Sequence, residues 1–204
     1  MKTLLVLAVL VLSLPAAAQN DSLQPKQEAF VKERSIRFGY ILPVGVGNNL
    51  LSEAGAGVGG TGVKMSFFSI YKIHVGHGIE TVFYNGRNHR LVPGLSGINI
   101  TTFTFEPMYQ IDVTEKLRLY PRASIGYSLL LFRERRDNGS RDGARYAAGI
   151  LADYKIGDHT GVYLSVDYSL TNVEVKTHPD YHDFFNHLTQ LNAGVGLRFD
   201  FDLD

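Results

Sequence analysis

The sequence contains no cysteine. That excludes a disulfide framework, and it also excludes a lipid attached through an N-terminal cysteine. Neither sign of charge is in excess, because twenty Lys and Arg balance twenty Asp and Glu. Nothing in that balance points to nucleic acid or to an acidic substrate. Long hydrophobic runs are missing too. The longest, Leu4 to Leu14 broken only by Ser13, is too short to cross a bilayer as a helix, and no other segment resembles a spanning helix.

What surrounds that run gives it a meaning. Lys2 supplies a positive start, Pro15 follows the run, and Ala16 and Ala18 stand at the two small-residue positions of a cleavage site. Residues 1–18 are therefore expected to be a cleavable signal peptide, and the protein to be exported. The alternative is an N-terminal anchor that stays attached. About 185 residues remain after cleavage, which suits one domain. Residues 19–34 are polar and aperiodic, a periplasmic lead-in with room for a short helix near Gln27 to Lys32.

From residue 35 to 204, apolar and polar residues alternate in segment after segment. The last is the clearest: Leu191, Ala193, Val195, Leu197, Phe199 and Phe201 interleave with Asn192, Gly194, Gly196, Arg198 and Asp200. Successive strand residues point to opposite faces, so one face is wholly apolar and the other small or charged. The same reading gives strands through Ile36–Leu42, Val63–Tyr71, Ile79–Phe83, Phe103–Ile111, Leu117–Leu131, Tyr146–Tyr154 and Val162–Leu170, eight in all. The gaps alternate in length. Short turns are expected near 72–77, 112–116 and 157–160, and longer polar loops near 46–54, 85–97, 134–144 and 174–187.

Short turns on the side of both termini, with long loops opposite, are the pattern of outer-membrane barrels. The fold class expected is all-β, an eight-stranded antiparallel transmembrane up-and-down β-barrel. A soluble barrel or sandwich would also alternate, but its second face should be bulky and charged. Here that face carries Gly39, Gly62, Gly126, Gly149, Gly194 and Gly196, as a narrow filled lumen requires. Tyr71, Tyr109, Tyr146, Tyr154, Phe199 and Phe201 sit on the apolar face, often toward strand ends, like the aromatic girdles of membrane barrels.

Over Ser35 to Asp202 the chain resembles the small outer-membrane barrels of the OmpA and OmpX type, and more closely the Bacteroidota porin-family (PorT-like) barrel domains. The resemblance rests on the pattern and on the closing strand, where Phe201 ends the alternation and Asp202, Leu203 and Asp204 follow. It implies an outer-membrane location, contact with membrane lipids and lipopolysaccharide, and insertion by the barrel-assembly machinery, which reads the aromatic residue of that strand.

Several constellations bear on chemistry. Gly55, Gly57 and Gly60 satisfy GxGxxG, but a dinucleotide site needs a helix to follow and a strand follows here. His178, Asp180, Tyr181, His182, Asp183 and His187 share one loop at a spacing that matches no closed metal site, so no metal or other cofactor is expected. Arg133, Arg135, Arg136 and Arg141, with Arg145 entering the next strand, would face lipopolysaccharide phosphates at the outer rim, which guanidinium groups can bind in a bidentate fashion. A merely solvated basic loop is the other reading. No GxSxG occurs, and no loop histidine has a serine two residues away, so catalysis is not expected. The enzymatic alternative is a lipid A-modifying barrel. Parity sends Lys64, Glu80, Glu106, Arg122, Asp167 and Arg198 into the lumen, where they must pair. Glu106 and Arg122 are equidistant from Thr114, so a salt bridge is expected between them. The function expected is a structural or surface-interaction barrel plugged by its own side chains, acting through its extracellular loops on lipopolysaccharide or a protein partner, with the periplasmic side as the other place for a protein partner. A narrow ion or solute channel is the remaining alternative.

Overall fold

The computed structural model describes residues 34–87, 92, 94–134 and 138–201. The expected signal peptide, the lead-in up to Glu33, His89, Arg135, Arg136 and the last three residues lie outside them. Nine strands follow in order: β1 (Arg34–Gly45), β2 (Gly55–Ile70), β3 (Ile73–Gly86), β4 (Leu95–Tyr109), β5 (Ile111–Asp112), β6 (Leu117–Glu134), β7 (Asn138–Lys155), β8 (Thr160–Val173) and β9 (His187–Phe201). Two short helices, α1 (Leu50–Glu53) and α2 (His182–Asn186), lie in the first and last long connections.

Each barrel strand pairs antiparallel with its sequence neighbours, and β1 pairs with β9 from Arg34↔Phe201 to Gly45↔Gln190, which closes the cylinder. Eight strands form the wall. The ninth, β5, keeps the same register against β6 as β4 does, so it continues β4 beyond Gln110. Gln110 between them still follows the β3 ladder, its amide donating to the Lys72 carbonyl at 2.7 Å.

The outward face is the apolar one. Leu129 and Leu131 on β6, Leu164 and Val166 on β8, and Val195 and Leu197 on β9 all stand 41–62% open to the surroundings. Such a continuous belt is stable only against lipid, and the strands are long enough to supply it, since a tilted crossing takes about 9–11 residues. At the periplasmic end the β2–β3 connection is tighter than expected, with Ile70 paired to Ile73 and Tyr71 at φ 54. A positive φ is what a two-residue hairpin of matching twist requires.

The third long connection departs from expectation. β6 and β7 are 18 residues each, and their ladder runs up to Arg133↔Asn138. The segment 134–144 is thus largely strand. Above the hydrocarbon neither face must be apolar, so the ladder continues where the alternation that reveals it has stopped.

Inside, small residues make room for large ones. Gly62, Gly39 and Gly196 lie in one rung that ends at Tyr163. A Cβ at Gly39 would collide with the Tyr163 hydroxyl.

Candidate functional site

The lumen is layered. Toward the extracellular end it is an apolar core, in which Val82, Ile98, Ile100, Leu130 and Leu188 from the wall meet Leu50 and Leu51 from α1. This corrects the expectation that the inner face is small or charged throughout. Asn49 fixes α1 there: its Oδ1 accepts from the amides of Leu51 (2.9 Å) and Ser52 (3.3 Å), and its Nδ2 donates to Thr189 Oγ1 at 2.7 Å. The N-cap thus satisfies helix donors that would otherwise be buried without partners.

Below that core, six charges form one alternating chain across the bore. Arg145 Nη1 reaches Glu80 Oε2 at 3.0 Å, and Lys64 Nζ lies 2.9 Å from Glu80 Oε1 and 2.8 Å from Glu106 Oε2. Arg122 Nη1 reaches Glu106 Oε1 at 3.1 Å, while its Nε donates to Asp167 Oδ1 at 2.8 Å and its Nη2 to the other oxygen. Six different strands contribute one residue each, and three bases cancel three acids. A cavity of about 10 Å³ lies between four of them, Lys64, Glu80, Arg122 and Asp167, and the facing Tyr163, Ser165 and Asn192, room for roughly one water.

The Glu106–Arg122 contact does not arise from direct opposition. Register places Arg122 opposite Met108, because the turn is centred one residue later than Thr114, and the two charges meet on the diagonal. Long side chains span that offset.

Nearer the periplasm come Met108, Tyr120, Leu151 and Tyr163, then a second ionic cluster. Arg198 lies 2.7 Å from Asp153 and 2.8 Å from Asp200, and Arg37 lies 3.7 Å from Asp153 while its guanidinium stands over the Tyr120 ring at 5.6 Å. Arg198 therefore belongs to a different network from the other five lumen charges named from the sequence. Three buried members, Arg37, Arg145 and Asp153, were missed. Parity would have found them, since each lies beside an outward residue: Phe38, Tyr146 and Tyr154.

Arg145 also leaves the basic cluster in which sequence proximity placed it, because it points into the bore. Arg133 and Arg141 are exposed strand residues on the projecting hairpin rather than loop residues, with the Arg133 carbonyl accepting from Ser96 Oγ at 2.7 Å and Arg141 Nη1 donating to the Ser140 carbonyl at 2.7 Å. In the last connection, His178 lies 3.3 Å from Asp180, and His182 and His187 lie 3.6 and 3.5 Å from Asp183. Among the described residues no group of three or more such side chains is arranged to hold a metal ion. At the periplasmic rim, partial burial works to raise the Asp112 carboxyl. The hydrogen bond from Gln110, with Lys72 and Arg118 nearby, outweighs that and holds it below its ordinary range.

Solved structures share this fold at low identity. Neisserial surface protein A is 9% identical, with a TM-score of 0.58 over 85% of this chain and 100% of that one. OprG from Pseudomonas aeruginosa is 14% identical at a TM-score of 0.58 over 85% and 98%. A major outer membrane protein from Thermus thermophilus is 12% identical at 0.54 over 83% and 98%. No curated protein matches the chain. The family described as outer membrane protein beta-barrel domain matches residues 4–199, almost the whole length, and the chain belongs to that family: it is an integral β-barrel of the outer membrane.

Proposed function

We propose that the protein is a non-enzymatic barrel with a sealed lumen that works through its extracellular rim, as a structural or surface-interaction protein whose partner is lipopolysaccharide or another protein. The observation that carries this reading is the closed charged layer, with room for about one water at its centre. A bore so filled offers no path to a solute, which leaves the outer surface as the place of action. The hairpin of β6 and β7 supports the choice of partner. It holds Arg133 exposed and outward above Leu131, with Arg141 exposed opposite Leu130 on the other face, and Arg135 and Arg136 lie between them in sequence. Guanidinium groups so placed suit the phosphates of lipopolysaccharide.

The described loop histidines lie beside aspartates, and none has a serine two residues away to serve as nucleophile, which supports a non-catalytic reading. Export through a cleavable signal peptide at residues 1–18, assembly through the closing strand and kinship with the PorT-like barrels complete the proposal. Incubation of the purified protein with lipid A, followed by mass spectrometry, tests it against the enzymatic alternative. Intact lipid A is the expected result. Loss of acyl chains that disappears in His182→Ala would replace the reading with a lipid-modifying enzyme.

A further inference from the structure

A shallow groove, wide open to the surroundings, lies on the outer wall where β4, β6 and β7 run side by side. Register explains why it is there. The rung Phe105–Ile125–Tyr146 presents three bulky outward side chains, whereas the outward rung above it, Phe103–Tyr127–Ala144, ends in a methyl group. Between them lies the inward rung Thr104–Gly126–Arg145, whose Arg145 is engaged with Glu80 inside the bore. The groove therefore opens outward. Its apolar walls stand within the belt that faces hydrocarbon, with Phe103, Phe105, Ile125 and Tyr146 all about half exposed.

One column joins this groove to the rim. Ile125, Tyr127, Leu129, Leu131 and Arg133 alternate outward along β6. Eight residues at about 3.3 Å each, tilted by about 35–45°, put the groove roughly 20 Å below Arg133. Half of the hydrocarbon core is about 15 Å thick and the headgroup region adds several more. An outer-leaflet lipid with its phosphate at Arg133 thus has acyl chains that end at the depth of the groove. Asp142 faces the same side, opposite Leu129.

We propose that the groove seats an acyl chain of lipid A, held at its other end by Arg133. The proposal rests on the reading of the rim arginines given above and adds the seat that would select a chain. Phospholipid, which lacks the sugar-borne phosphate, is the competing occupant.

The test is native mass spectrometry of the full chain in mild detergent, with lipid A and phosphatidylethanolamine offered in parallel. Wild type should retain lipid A in preference. Ala144→Phe fills the groove from the lipid side and should cut lipid A retention by about tenfold, and Ala148→Phe, outward on the same strand but outside the groove, should leave it unchanged. Ala144→Leu, a smaller filler, should give an intermediate loss and preserves the test should the larger side chain block insertion. Undiminished retention by both Ala144 variants overturns the groove. So does equal retention of phosphatidylethanolamine. Arg133→Ala is scored separately: if it keeps lipid A while Ala144→Phe loses it, the groove stands and the rim reading fails, and the reverse pattern leaves the rim and removes the groove.

Discussion

The two halves of the lumen are filled by opposite physical means. Toward the cell exterior the bore is closed by side chains such as Leu130 and Leu188, fully buried against the leucines of α1. In the middle it is closed by charges, with Arg122 holding both Glu106 and Asp167. Apolar packing is non-directional, so the first half depends on volume. Ion pairs withdrawn from water repay their desolvation only when every partner is in place, so the second half depends on geometry.

Substitutions in the two halves should separate these dependences. The largest effect is expected from Arg122→Ala, which removes both bonds to Asp167 and leaves the buried Glu106 with Lys64 alone, and should cost about 3–5 kcal/mol of unfolding free energy, read from the urea midpoint in detergent micelles. Leu130→Ala should cost about 2–5 kcal/mol by opening a cavity, with a result at the lower end if α1 settles into the space. Conservative swaps sharpen the contrast: Leu130→Met should cost less than about 1.5 kcal/mol, whereas Arg122→Lys, which keeps the charge but loses the paired bonds to Asp167, should cost more than that. Equal costs for these two swaps would erase the distinction between the halves. Asn49→Ala should cost about 1–2 kcal/mol by uncapping α1.

The smallest effect is expected at Asp112, exposed at the periplasmic rim. Its carboxyl is held below its ordinary range when folded, so its contribution is present above the unfolded value near pH 4 and disappears as the pH falls through the folded value. Asp112→Asn should thus differ from wild type by no more than about 0.5 kcal/mol at neutral pH and converge with it in acid. A constant difference across that range would show that the ionised carboxylate is not the source.

The same contrast decides what could be read from the sequence. Strands such as β9 were legible because Leu191 to Phe201 face lipid on one side while Gly194, Gly196 and Arg198 face the bore. At the upper ends of β3 and β4 both faces are largely apolar. Val82, Tyr84, Ile98 and Ile100 point inward while Phe83 points outward, so the alternation fades and does not reveal the apolar core. Leu50 and Leu51 were hidden differently, in a connection read as a polar loop. Parity places Lys64, Glu80 and Arg122 inward, whereas Arg145 stands near Arg141 along the chain and only its parity, beside the outward Tyr146, turns it into the bore. The diagonal meeting of Glu106 and Arg122 depends on where the turn is centred, which the strand pattern alone does not specify. The site on the outer wall was invisible for another reason: it is a gap, made by Ala144 beside Tyr146, and only register brings those residues against Phe103 and Ile125.

Single-channel recording in planar bilayers tests the central claim, that the bore is sealed, most directly. The wild-type barrel should give no stable conductance, and Arg122→Ala or Glu106→Ala, by opening the charged layer, should allow conducting events to appear. A stable, large conductance from the wild-type monomer would contradict the account.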